Sequence, residues 1–212
     1  LGGGSLGGKG RSLAYFHALL PQLDLAGLGD IEVCIPRSAV VGTTVFDEFL
    51  ESNELTELAY SDTSELEDDD IAETFIEARF PESIYEDLKT FVEQVEYPLA
   101  VRSSSLLEDS QHQPFAGVYE TYMLSNNHPD PKLRLQHLCD AIKLVYASTF
   151  YQASKAYIAA TPNRIEEEKM GVVIQEVAGL PHGDAFYPTF AGVARSRNFY
   201  PLGDAAPEDG VV

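Results

Sequence analysis

The hydrophobic pattern changes period near residue 97. Before it, apolar residues recur every three or four positions in separate blocks. After it, β-branched and aromatic residues gather into short runs, with one long helical stretch between two pairs of them. The first block predicts a short helix over 12–20, carrying Leu13, Phe16, Leu19 and Leu20 and closed by Pro21. A weakly alternating, β-branched run over 31–41, interrupted by Pro36, predicts a short strand. Thr44 caps the next helix, with Asp47 at its third position and Val45, Phe46, Phe49 and Leu50 at helical spacing. Ser64 and Glu67 form a capping box for a helix with Leu66, Ile71, Phe75 and Ile76. Pro81 opens another, with Ile84, Leu88, Phe91, Val92 and Val95. Strands follow over 97–104 and 117–125, with a polar loop over 105–114 between them. Pro131 starts the longest helix, through Leu135, Leu138, Ile142, Val145, Tyr146 and Phe150 towards Tyr157, and Thr161-Pro162-Asn163 ends it. Runs over 170–177 and 186–194 give a second strand pair across a Gly/Pro turn at 179–183, and 203–212 is loop. Helices, strand pair, long helix, strand pair is an order that fits an α+β fold, with a helix-rich subregion over 11–96 and a sheet-containing one over 97–212.

The 14 basic against 34 acidic residues leave a net charge of −20, which argues against non-specific binding to nucleic acid or to an anionic membrane, since both need a positive field. Any site for an anion must therefore be a local basic pocket made from few, well-placed cations. Much of the acid lies in Asp62, Glu65, Glu67, Asp68, Asp69, Asp70 and Glu73, which reads as a solvated helix face rather than a metal site. No apolar run is long enough to cross a bilayer, and no signal-peptide pattern opens the chain. Cys34 and Cys139 stand far apart without a CxxC partner and read as reduced thiols, so the expected compartment is the cytoplasm. The chain opens on Leu1 and runs straight into glycines, so upstream sequence is expected.

Two segments carry chemistry suited to phosphate. Gly7-Gly8-Lys9-Gly10 joins an ammonium to a backbone whose N–H groups can turn towards an anion. The stretch Gly3 to Lys9 nearly matches GxxxxGK[ST], but position 10 is glycine and supplies no hydroxyl for magnesium. Taken alone, the segment is either a phosphate cradle or a flexible linker. Val101-Arg102-Ser103-Ser104-Ser105 sets an arginine at the end of an apolar strand, where a charge is costly unless it is paired or faces a ligand. Its planar fork suits two phosphate oxygens, with three serine hydroxyls beside it; a salt bridge to Glu108 or Asp109 would satisfy it equally. Phe115-Ala116-Gly117 and Thr121 add a glycine where a backbone could approach a ligand, and a hydroxyl on the same strand.

These segments occur in one order with Glu108-Asp109-Ser110, Val118-Tyr119-Glu120, Tyr146-Ala147-Ser148, Val172-Val173-Ile174-Gln175 and Gly192-Val193. The ordered set closely resembles the nucleotide-binding domain shared by phosphoenolpyruvate synthase, pyruvate phosphate dikinase and rifampicin phosphotransferase, across nearly the whole chain and most sharply over 100–121. The resemblance implies an ATP-grasp fold, in which two lobes close on ATP. This chain would be the N-terminal lobe, a mixed or antiparallel sheet flanked by helices and a fragment of a larger module. It implies that Lys9 and Arg102 hold the phosphates, that Gly117 lets the backbone approach the nucleotide, and that Thr121 contributes its hydroxyl. Gln175, with the backbone of Glu176 and Val177, would form the hinge reading the adenine, while Glu108 and Asp109 orient Arg102. The second lobe, with the Mg2+ ligands, would lie beyond Val212, so no catalytic or metal-binding residue is expected here.

In the family, a histidine on a separate swivelling domain takes phosphate from ATP and carries it to pyruvate or another acceptor. His17, His112, His128, His137 and His182 match neither that domain's motif nor a metal spacing, and read as surface or packing residues. The chain departs from the family at Ile35-Pro36-Arg37-Ser38, where Pro-Pro-Gly-Phe is common, and Arg195 and Arg197 carry no role beyond a phosphate contact. The expectation is the ATP-binding module of an ATP-dependent phosphotransferase, inactive by itself, whose partners are ATP and the phosphohistidine domain. A non-catalytic regulatory or interaction domain on the same scaffold is the alternative. Both turn on whether Lys9 and Arg102 converge into one small positive pocket.

Overall fold

Leu99, Val101 and Ser103 alternate along the chain, and all three are at most 1% exposed; a strand that turns every second side chain to a helix layer is the simplest structure that allows this. In a computed structural model, which describes residues 1–57, 66–105, 117–161, 164–165, 168–201, 203 and 205–211, that strand is β2 (Leu99–Ser105). The other strands of its sheet are β1 (Ser38–Val41), β3 (Thr121–Leu124) and β4 (Met170–Glu176). They lie in the order β1–β4–β2–β3, and every neighbouring pair is antiparallel. The helices are α1 (Gly7–Leu19), α2 (Thr43–Ser52), α3 (Asp68–Glu77), α4 (Glu82–Gln94), α5 (Pro131–Ser148) and α6 (Gln152–Ala159). The architecture is α+β, an antiparallel sheet flanked by helices. All of this belongs to one compact unit, Leu1–Val177.

One face of the sheet is the core face. Leu99, Val101, Met170, Val172, Ile174 and Val41 are all completely buried, and α2 and α5 pack against the strands that carry them. Helices α3 and α4 pack in turn on α5. Five rings, Phe46 and Phe49 from α2, Phe75 from α3, Tyr146 from α5 and Phe150 just beyond it, join the helices. Their centroids lie 5.1 to 6.1 Å apart, in edge-on, tilted and stacked pairs. Helix α5 also carries two buried cations to the ends of its neighbours. Arg134 Nη1 donates to Val95 C=O at 2.8 Å, at the end of α4, and Lys143 Nζ donates to Ile76 C=O at 2.8 Å, at the end of α3. Both sit where a helix leaves carbonyls unsatisfied and its dipole is negative.

Several elements differ from the sequence reading. The glycines at 7, 8 and 10 lie inside the first turns of α1, which starts five residues earlier than predicted. The strand expected over 31–41 is confined to 38–41, because Pro36 offers no N–H to a ladder. The long helix divides at 149–151: Ser154 Oγ donates to Ser148 C=O at 2.6 Å and holds the corner between α5 and α6. The acidic run is only partly plain surface. Asp68, Asp69 and Asp70 occupy the first turn of α3, and Asp68 Oδ1 also accepts the N–H of Gln152 at 2.8 Å, capping α6. Asp62, Ser64 and Glu65 lie outside the described residues.

The second unit, Ala178–Val212, opens with a hairpin of β5 (Leu180–His182) and β6 (Ala185–Tyr187). Gly183, at φ 65°, takes the first place in a two-residue turn. Pro188 ends β6, so the strand expected over 186–194 stops at Tyr187. The rest is held by the Arg195–Val211 bridge and an exposed Arg197–Glu208 ion pair at 3.6 Å.

Phe49→Ala removes a completely buried ring that packs on both Phe75 and Tyr146 and should cost about 3–5 kcal/mol in denaturant unfolding. Burial pushes the Cys139 thiol up to about 12, whereas Cys34 is exposed. Iodoacetamide at pH 8 should therefore modify Cys34 alone in the folded protein and both cysteines after denaturation, as read by peptide mass.

Candidate functional site

Three of the predicted residues, Arg102, Thr121 and Gln175, share the second face of the sheet. The ladders place Val40, Val173, Arg102 and Thr121 in one row across β1, β4, β2 and β3. The next row towards the end of β4 is Ser38, Gln175, Ala100 and Met123. Strand alternation turns both rows to the face opposite the core. Arg102 and Gln175, separated by 73 residues in sequence, are diagonal neighbours here, and Arg102 Nη1 donates to Gln175 Oε1 at 3.1 Å. Arg102 is half-buried, Thr121 beside it is exposed, and Met123 is 63% exposed. Arg102 has no ion-pair partner among the described residues; Glu108 and Asp109 lie outside them, as do Ser110, Phe115 and Ala116.

Helix α1 brings Lys9 to the same face. Its first turn packs on β2 and β4, and the contact is close because Gly7, at φ 67°, lies against the carbonyl of Ser104, where any Cβ would collide with that oxygen. Ser104 is two residues beyond Arg102 and so points to the same side. Its hydroxyl donates to Leu6 C=O at 2.7 Å and accepts the Gly10 N–H at 3.0 Å. Lys9, half-buried, stands in that first turn.

The glycine segment itself is built differently from a phosphate cradle. Gly3 N–H donates to Thr44 Oγ1 and Ser5 N–H to Thr43 Oγ1, each at 2.9 Å. In return, the Thr43 and Thr44 N–H groups donate to Ser5 and Gly3 carbonyls at 3.0 and 3.2 Å. Gly42 lies so close to the Gly3 carbonyl that a Cβ there would clash. Segment 3–5 therefore caps α2, whose N-cap residue Gly42 has no side chain to do so. With Gly7 N–H donating to Ser5 Oγ at 3.2 Å, four N–H groups of the segment are engaged within the protein. The glycines form a joint between α1, β2 and the start of α2. The three serines after Arg102 also serve the fold: Ser103 and Ser105 are at most 1% exposed on the core face, and Ser104 holds α1.

The family model for the pyruvate phosphate dikinase AMP/ATP-binding domain matches residues 4–212. The chain belongs to this family. A second comparison finds an uncharacterized phosphotransferase, YvkC, of Bacillus subtilis (strain 168), 28% identical over 167 residues, which is 77% of this chain. The chain spans 17% of that relative's length.

Within this dikinase-type domain, the end of β4 carries the remaining predicted residues. Glu176 N–H donates to Arg37 C=O at 2.8 Å and Val177 N–H to Pro98 C=O at 2.9 Å. The Glu176 carboxylate receives Arg37 Nε and Nη2 at 3.0 and 3.2 Å, and the Arg37 guanidinium lies 4.2 Å over the Tyr97 ring. Arg37 stands where the sequence departs from the family's common Gly-Phe. Its role was not legible beforehand, because its partner is 139 positions away. Gly117, at φ 77°, precedes β3, and among the described residues nothing lies within 4 Å of where its Cβ would stand.

Other features lie apart from this face. A cleft of about 460 Å³ along α2 is lined by Asp47, Glu48 and Glu51 and repels anions. Asp47 there pairs with Lys169. Among the described residues, no group of three or more His, Cys, Asp or Glu side chains could hold a metal ion, and no helix is long and apolar enough to cross a membrane. His17 and His137 are exposed on α1 and α5, and His182 stacks on Tyr187 at 4.0 Å; His112 lies outside the described residues.

The hydrogen-bonded Arg37 guanidinium holds the Glu176 carboxyl below its ordinary value. A depressed folded-state pKa contributes stability above the unfolded carboxyl's pKa, and this is lost as pH falls through the folded one. The stability difference between wild type and Glu176→Gln should therefore be present at neutral pH and vanish on acidification below the ordinary carboxylate range, measured by urea unfolding across pH.

Proposed function

We propose that this chain is the ATP-binding part of a phosphotransferase resembling phosphoenolpyruvate synthase and pyruvate phosphate dikinase. Its ATP would phosphorylate a histidine on a separate swivelling domain, for transfer to an acceptor such as pyruvate. The observation that carries the reading is the sheet face on which Arg102, Gln175 and Thr121 are neighbours while α1 delivers Lys9 to the same side. Arg102 and Lys9 supply the cations that a polyphosphate requires in a chain of net charge −20.

In this reading Lys9 and Arg102 grip the phosphates, Thr121 adds a hydroxyl beside Arg102, and Gly117 leaves room for the nucleotide. Gln175 orients the Arg102 fork through their hydrogen bond. The N–H groups of Glu176 and Val177 are held by Arg37 and Pro98 carbonyls, so the adenine would be read at this hinge through backbone carbonyls and the Gln175 side chain. ATP-grasp closure requires a second lobe, and the Mg2+ that accompanies ATP would be held there. The described residues offer no carboxylate cluster for it, and no step is routed through it. The alternative, a regulatory domain that keeps the scaffold without the chemistry, draws support from the engaged N–H groups of the glycine segment.

Turnover of ATP by the full-length protein separates the two readings. Lys9→Ala and Arg102→Ala should each lower kcat/KM for ATP by about a hundredfold or more, the usual scale for removing a charged transition-state donor. An acid-labile, base-stable label from phosphate-labelled ATP should appear on the wild type and not on the variants. Unchanged turnover in both variants, or a wild type that neither binds nor consumes ATP, would sink the enzyme reading.

A further inference from the structure

Lys9 and Arg102 belong to elements ninety-odd residues apart, and one side chain joins those elements at the site. We propose that Ser104 is the positioning residue that sets Lys9 against Arg102; this rests on the reading that both cations grip phosphate. Three observations carry it. Ser104 is on β2 two residues beyond Arg102, so the two side chains leave the same strand on the same face. Its hydroxyl bonds both Leu6 C=O and Gly10 N–H, the acceptor and donor of the first i→i−4 pair of α1, and Gly10 is the immediate neighbour of Lys9. The hydroxyl is also completely buried, so no water competes for either bond.

The geometry does more than hold a helix down. A hydroxyl that both donates into and accepts from one helical turn fixes that turn's rotation as well as its height above the strand, because both bonds must stay linear at once. Rotation of α1 about its axis decides where the Lys9 stem points. Gly7, in contact with the Ser104 carbonyl, sets the height independently, since nothing larger fits there. Loss of the hydroxyl leaves Leu6 C=O and Gly10 N–H paired within the first turn of the helix itself. The helix survives, and what disappears is its registration to the strand that carries Arg102. Ser104 thus acts through Lys9 and touches no phosphate.

A double-mutant cycle in the full-length protein tests this, with ATP affinity read by calorimetry and thermal unfolding recorded without nucleotide. Ser104→Ala should weaken ATP binding about tenfold, in line with the steep cost of misplacing a positioned group. In a Lys9→Ala background the same change should weaken it no further, while its effect on unfolding stays the same in both backgrounds. Ser104→Thr, which keeps the hydroxyl, should restore most of the affinity. Equal weakening by Ser104→Ala with and without Lys9, or no weakening at all, overturns the positioning role while leaving the phosphate assignment intact. If Lys9→Ala alone leaves ATP affinity unchanged, the phosphate assignment has failed, and the positioning role falls with it.

Discussion

The antiparallel ladder between β2 and β4 is the contact on which the rest depends. It runs over seven residue pairs, from Leu99–Glu176 to Ser105–Met170, and it has a different consequence on each face. Towards the helices it aligns Leu99, Val101, Val172 and Ile174, against which α2 and α5 pack. Away from them it sets Arg102 diagonal to Gln175. A slip of one residue would bury the arginine and expose the valines, so core packing itself enforces the register that assembles the polar face. Stability and site geometry are therefore one constraint.

The chain's charge is handled by placing few cations carefully. Arg134 and Lys143 are drawn into the helix layer to meet carbonyls at the ends of α4 and α3, and Arg37 is held between Glu176 and Tyr97. Arg102 and Lys9 remain on the polar face.

Much of this was legible in the sequence. The periodicity of Phe46, Phe49, Phe75 and Tyr146 marked helices that do bury those rings, and the buried strand read over 97–104 is β2, Leu99–Ser105. Membership of the dikinase nucleotide-binding family was legible from the ordered motifs. What escaped was the role of several residues whose partners lie far along the chain. Glycine residues before Lys9 suggest a flexible phosphate loop when read locally; their actual neighbours, the Ser104 carbonyl and the Thr43–Thr44 pair, are about 40 to 100 positions away. The serines after Arg102 looked like ligand donors for the same reason. Nothing local reveals that two of them face a hydrophobic layer and the third holds a helix. The strands read across Pro36 and Pro188 are cut short at both prolines, because neither offers an N–H to a ladder.

The strand order has a consequence for how the chain is made. β4 lies between β1 and β2, yet it is the last of the four to leave the ribosome, about 130 residues after β1. Until it arrives, β1 has no partner in this sheet, and β2 can pair only with β3. Helices α2 to α5 can gather around their aromatic rings earlier, because all five rings precede β4 in the chain. Insertion of β4 between two waiting edges then closes the longest loops of the fold, with the entropic cost and slowness that such closure carries. Until that insertion Arg102 and Gln175 are strangers, and the polar face exists only once the sheet is complete.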